Sequence, residues 1–179
     1  SGWRSQAICP IFSLNPPGEY DPEVDAKITP EIYLKTFGSQ LSEIRGRLPV
    51  VIDGNAVEAL ENEETGSLFF AELLERSRLA GACPVPMVRL PSSARLIEAV
   101  AKFLRHSGRP LGCLRVELSD LEFLGGREEL CEMIAPLGIT TQDCILVIDG
   151  DPLIVKDVEG FTALFSNHIN RLIRPGDWR

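Results

Sequence analysis

Short apolar runs alternate along this chain with longer segments in which apolar residues return every third or fourth position. The first kind of run reads as a strand and the second as a helix that buries one face. Six strands are predicted on this basis, over residues 7–13, 27–34, 50–53, 85–90, 111–118 and 144–149. Between them Phe37, Leu41, Ile44 and Leu48 mark one amphipathic helix, and residues 67–80 form a second, stopped by Gly81. Ser92 and Ser93 cap a third, with Leu96, Val100, Phe103 and Leu104 on one face and Gly108 and Pro110 after its end. A fourth starts near Gly126 and turns Leu130, Met133, Ile134 and Leu137 inward. The last is capped by Asp157, carries Phe161, Leu164, Phe165 and Leu172 on its buried stripe, and closes at Pro175 and Gly176. A single helical turn is expected over 22–25, between proline-rich turns.

Strand and helix alternating at a spacing of roughly 30 residues is the signature of right-handed βαβ units and a largely parallel sheet. A closed eight-stranded barrel usually takes about 250 residues, and this chain has 179. The expected fold is therefore α/β, one domain, barrel-like but incomplete or reduced, with about six strands. One phrase occurs twice, Val51-Ile52-Asp53-Gly54 and Val147-Ile148-Asp149-Gly150, with its aspartates 96 positions apart. Each copy reads as a buried strand that ends in a carboxylate, and such strand ends are where α/β folds place their sites.

Composition narrows the function classes. The net charge of −8 and a pI near 4.8 argue against nucleic acid and anionic membrane surfaces as partners. Arg76 with Arg78, and Arg171 with Arg174, are read as decoration of solvent-facing helix surfaces. No apolar run approaches the ~18 residues of a membrane span. Five cysteines, Cys9, Cys83, Cys113, Cys131 and Cys144, form no CxxC pair and have only two histidines beside them, which points to reduced, buried thiols in a cytoplasmic protein rather than a zinc site. No cofactor is implied.

Several ordered stretches resemble one known family: Cys9-Pro10-Ile11, the segment 22–32, the strand ending at Asp53, residues 108–116, residues 136–149, and the closing Trp178-Arg179. They are similar to the bacterial and phage-associated "beta protein" family, whose members run to about twice this length. The resemblance implies a mobile-element setting and a chain equivalent to the family's N-terminal portion, without the final strands. Its motifs are scaffold-like rather than catalytic.

Glu31, Asp53, Arg89, Arg115, Glu117 and Asp149 all fall near the C-terminal ends of predicted strands, so a curved parallel sheet would gather them on one face. Two readings of that gathering remain open. The residues pair with one another as a satisfied polar network. Alternatively, Asp53 and Asp149 serve as metal ligands or general bases while Arg89 and Arg115 clamp the oxyanion of a phosphorylated or carboxylated ligand. Asn55 and Asp151 are read as loop-shaping residues, His106 as a helix cap, His168 as a core or interface residue, and Gly125-Gly126 as a turn. The expected function follows the first reading: a non-enzymatic interaction or scaffold protein that binds a protein partner or self-associates. A small-molecule enzyme or sensor built on the strand-end cluster is the alternative.

Overall fold

The computed structural model describes residues 9–14, 20–21, 26–27, 29–55, 63–89, 92–121, 124, 126–150 and 158–172. In chain order these form β1 (Ile11–Ser13), β2 (Tyr20–Asp21), β3 (Ala26–Lys27), α1 (Pro30–Arg45), β4 (Pro49–Asp53), α2 (Glu63–Leu79), β5 (Cys83–Arg89), α3 (Ala94–His106), β6 (Gly112–Glu117), α4 (Leu118–Leu121), α5 (Arg127–Ile134), β7 (Cys144–Asp149) and α6 (Val158–Leu172). Five strands pair in the order β1-β4-β5-β6-β7, every neighbour parallel, and β2 with β3 makes a separate antiparallel ribbon.

That order is monotonic. When right-handed crossovers always step the same way, every helix lands on the same face and the sheet curls toward a barrel. A doubly wound sheet reverses instead and takes helices on both sides. The packing follows the first pattern. Val50, Ile52, Leu114, Val116 and Cys144 face a large core shared with Leu41 of α1, Phe70 and Leu73 of α2, Val100 and Leu104 of α3, and Leu130 and Ile134 of α5. The alternate strand residues, Val51, Val85, Met87 and Cys113, cluster with Leu111, Ile145 and Val147, and among the described residues no helix contributes to that cluster. The molecule is thus half of a (β/α) barrel, with α1, α2, α3 and α5 packed on the outer face of the parallel sheet.

Helix boundaries mostly follow local chemistry. Ser93 caps α3, its hydroxyl accepting the Leu96 N–H at 3.2 Å. Gly81 follows α2 with φ at +93°, which a residue with a Cβ adopts only under strain. The main correction lies at residues 27–34. Among the described residues there only Lys27 belongs to a strand, because α1 begins at Pro30, well before Phe37. Thr29 caps it, accepting the Ile32 N–H, proline occupies the first turn, and Glu31 adds an acid at the positive helix end. These start signals outweigh the β-branched content that suggested a strand. Residues 7–8, the turn at 22–25, and the Asp151 and Asp157 readings lie outside the described residues. In α6, Phe165, His168 and Ile169 form a half-buried stripe, as the sequence implied for His168.

Candidate functional site

Successive side chains of a strand alternate between faces, so the inner face can be read off the register. Its lower layers are apolar: Val51 beside Val85, then Met87 beside Cys113 and Cys113 beside Ile145. Toward the C-terminal ends the same face becomes charged. Asp53 stands beside Met87, Arg89 beside Arg115, and Glu117 beside Asp149.

Arg115 joins the two aspartates of the repeated phrase. Its Nη1 donates to Asp53 Oδ2 at 2.9 Å, and its Nη2 donates to Asp149 Oδ2. Asp53 lies one inward-facing step below the arginine and Asp149 one above, so the guanidinium spans the sheet diagonally from β4, past β5, to β7. The Asp53 side chain is only 7% exposed, and a carboxylate that deep needs a paired charge to stay ionised at neutral pH. Its second oxygen accepts the Asn55 backbone N–H at 3.0 Å, an Asx turn made by the Asp53 side chain itself. The hydrogen bond that Arg115 donates to Asp149, with the charges of both aspartates, raises the Arg115 pKa above its ordinary value against the opposing effect of burial.

The glycine of the phrase has a packing cause. A Cβ on Gly54 would stand 2.6 Å from the ring of Phe70, which is fully buried in α2, so only glycine lets the strand end approach that helix. Beside this centre Arg89 Nη1 lies 3.7 Å from Glu117 Oε1, a looser and about one-third-exposed pair. The Glu117 N–H donates to Asp120 Oδ2 at 3.3 Å, which ties β6 to the short helix α4. Ser92 Oγ donates to the Arg89 carbonyl at 2.7 Å and fixes the exit of β5.

Five of the six sequence-predicted residues therefore meet on one face. Glu31 does not join them. It is exposed in the first turn of α1, where its own backbone N–H first, and then the Thr29 hydroxyl, hold its carboxyl below the ordinary value. Among the described residues no group of three histidines, cysteines or carboxylates is placed to hold a metal ion. Both arms of the Arg115 fork are engaged by protein carboxylates, so an oxyanion arriving here would compete with Asp53 and Asp149.

The thiols divide by depth. Cys113 and Cys144 are buried, which pushes both pKa values up, Cys144 to about 12. Contrary to the expectation of buried thiols, Cys83 and Cys131 are half-buried and Cys9, which precedes β1 at the edge of the sheet, is exposed. His106 Nδ1 lies 2.7 Å from the Lys102 carbonyl at the end of α3, the capping position read from the sequence.

Sequence reasoning missed a cationic cleft at the opposite end of the sheet. It has a volume of about 470 Å³, and its lining includes Arg47, Arg78 and Arg109. These arginines stand 31 positions apart in turn, one in each of three successive approaches to a strand, and that period was the available signal.

Among the described residues no helix is long and apolar enough to cross a membrane. No curated protein and no solved structure matches the chain. The model of the Beta protein family matches residues 2–179, essentially the whole sequence, and the chain belongs to that family.

Proposed function

We propose that this chain is a non-catalytic interaction module of the cytoplasm, in the phage or mobile-element setting that its family resemblance suggests, whose half-barrel is completed by another protein or by a second copy of itself. The observation that carries this reading is β7. Its sequence, Cys-Ile-Leu-Val-Ile-Asp, is the continuous apolar run of a strand buried on both faces. Yet among the described residues β7 pairs with β6 alone, and every residue from Ile145 to Asp149 is only half-buried. An apolar edge of this kind favours addition of a further strand. At the other edge β1 presents Ile11 on the inner face at 46% exposure.

The strand-end cluster fits the same reading. A network in which acids and arginines satisfy each other stabilises a scaffold and leaves little donor capacity for a substrate.

Light scattering across a concentration series, with hydrogen exchange of the β7 amides, tests the reading. Association that protects those amides, and that weakens in Val147→Lys, is expected. A monomer whose β7 amides exchange freely and that retains no protein in a pull-down overturns it.

A further inference from the structure

We propose that the cleft at the N-terminal ends of β4, β5 and β6 binds a small molecule carrying a phosphate or carboxylate on an apolar body. Among the described residues Arg47, Arg78 and Arg109 belong to its lining and no aspartate or glutamate does. Arg78 is offset by Glu75, but Arg47 and Arg109 bring two further cations to the same cleft, and neither has a carboxylate partner among the described residues.

The cleft has a cause in the sequence. β5 contains Pro84 and Pro86, and neither has an N–H to give to a neighbouring strand. The ladder to β4 takes in Cys83 to Met87, whereas the ladder to β6 takes in only Met87 to Arg89. Below Met87 no pairing with β6 is formed, and the cleft lies there, against Cys83, Val85 and Leu111. Prolines inside a strand flanked on both sides are unusual in a sheet built only for stability.

The three arginines are not equivalent. Arg78, in the last turn of α2, offsets the negative helix end and pairs with Glu75 at 2.6 Å, so it already has a structural reason to be there. Arg47 and Arg109 lie past the ends of α1 and α3, beyond the last helical turns. Arg109 Nη1 donates to Cys83 Sγ at 3.5 Å, which holds its head over the cleft. Arg47 is exposed and has no side-chain partner among the described residues. Val85 and Phe103 are buried and give the cleft an apolar wall. Its volume falls within the roughly 300–1,000 Å³ of small-molecule sites, which combine apolar lining with a few charged groups.

Phenyl phosphate, inorganic phosphate and phenol separate the two halves of the claim. Titration by calorimetry, with amide shifts followed at Gly81, Cys83 and Ser107, is expected to show saturable binding of phenyl phosphate, weaker binding of phosphate, and weaker still of phenol. Arg47→Gln and Arg109→Gln should each weaken phenyl phosphate by about tenfold or more, the usual worth of a charged hydrogen bond. Both side chains are exposed, so both variants should fold, and circular dichroism checks that they do. Arg76→Gln removes the same charge from the exposed face of α2, where Arg76 pairs with Glu72, and should leave affinity unchanged. Absence of saturable binding, or equal losses in all three variants, overturns the proposal, the second by reducing the effect to net charge.

Discussion

The two ends of this half-barrel hold the same side chain in opposite circumstances. At the C-terminal ends of the strands Arg115 is gripped by Asp53 and Asp149, and Arg89 faces Glu117. At the N-terminal ends Arg47 and Arg109 have no carboxylate partner among the described residues, and Arg78 has the half-exposed Glu75. An arginine held by buried carboxylates is part of the scaffold, because removing it strands a charge. An arginine facing an open apolar cleft contributes little to the fold and is available to a ligand. Barrel precedent directs attention to the C-terminal face. Among the described residues the arginines of that face are paired with carboxylates, whereas Arg47 and Arg109 at the other end are not.

The sharpest way to break this contrast is Arg115→Ala. Asp53 would keep its depth and lose its cation, and removing one partner of such a pair costs about 3–5 kcal/mol. Arg47→Gln and Arg109→Gln, on the exposed rim, should stay within about 0.5 kcal/mol of the native chain. Urea unfolding of the three variants decides the matter. A loss below about 1 kcal/mol for Arg115→Ala would show that the strand-end cluster is not structural, and the enzyme or sensor reading would gain.

A second substitution tests whether the C-terminal end is also sterically fixed. In Gly54→Ala the new methyl meets the Phe70 ring at 2.6 Å, and that ring is fully buried in the core. Overpacking of this sort costs about 1–3 kcal/mol. A fall in stability of that size, with the Arg115–Asp53 pair shifted, supports the view that α2 sets the position of the carboxylate. An unchanged melting temperature would show that the strand end can give way.

Much of this was legible in the sequence because it depends on local pattern. Apolar runs placed the five sheet strands, and the doubled Asp-Gly phrase marked two strand ends that one arginine joins. The residues that failed did so for identifiable reasons. Glu31 reads as part of a strand from its β-branched neighbours, but Thr29, Pro30 and the acid itself together start a helix. Arg47, Arg78 and Arg109 were invisible as a cluster because only the curled sheet brings residues 31 positions apart to a common cleft. Pro84 and Pro86 were present in the text of β5, but that they coincide with an interrupted ladder requires the register of β6.

Between the two ends lies the apolar inner layer, and its thiol gives a pH signature. Burial raises Cys113, and likewise Cys144 on the helix side, above the ordinary value of 9.0. A proton held more tightly in the folded state stabilises it, fully so below the unfolded pKa. That balance shifts against the fold as pH rises from about 9 toward the folded value, about 12 for Cys144. Near pH 10 the loss should be about 1.4 kcal/mol per thiol. Urea titrations between neutral pH and pH 10 measure it, and Cys144→Ala should flatten the slope. An unchanged slope in that variant would place the alkaline sensitivity elsewhere.

The smallest expected effect probes the cleft end, where charges are exposed and screened. Arg78 is the main cause that holds Glu75 below its ordinary carboxyl pKa of 4.5. A carboxylate with a depressed folded pKa stabilises the fold above that ordinary value, and the gain is lost as pH falls through the folded one. Glu75 and Arg78 are 43% and 36% exposed, so the pair is worth only about 0.2–0.5 kcal/mol and should fade with added salt. Glu75→Gln should therefore barely move the urea midpoint at pH 7, in contrast to Arg115→Ala. Freed from its acid, Arg78 should at the same time bind phenyl phosphate more tightly. If stability drops by more than 1 kcal/mol while binding stays the same, the cleft arginines are part of the scaffold after all, and the two ends of the sheet differ only in exposure.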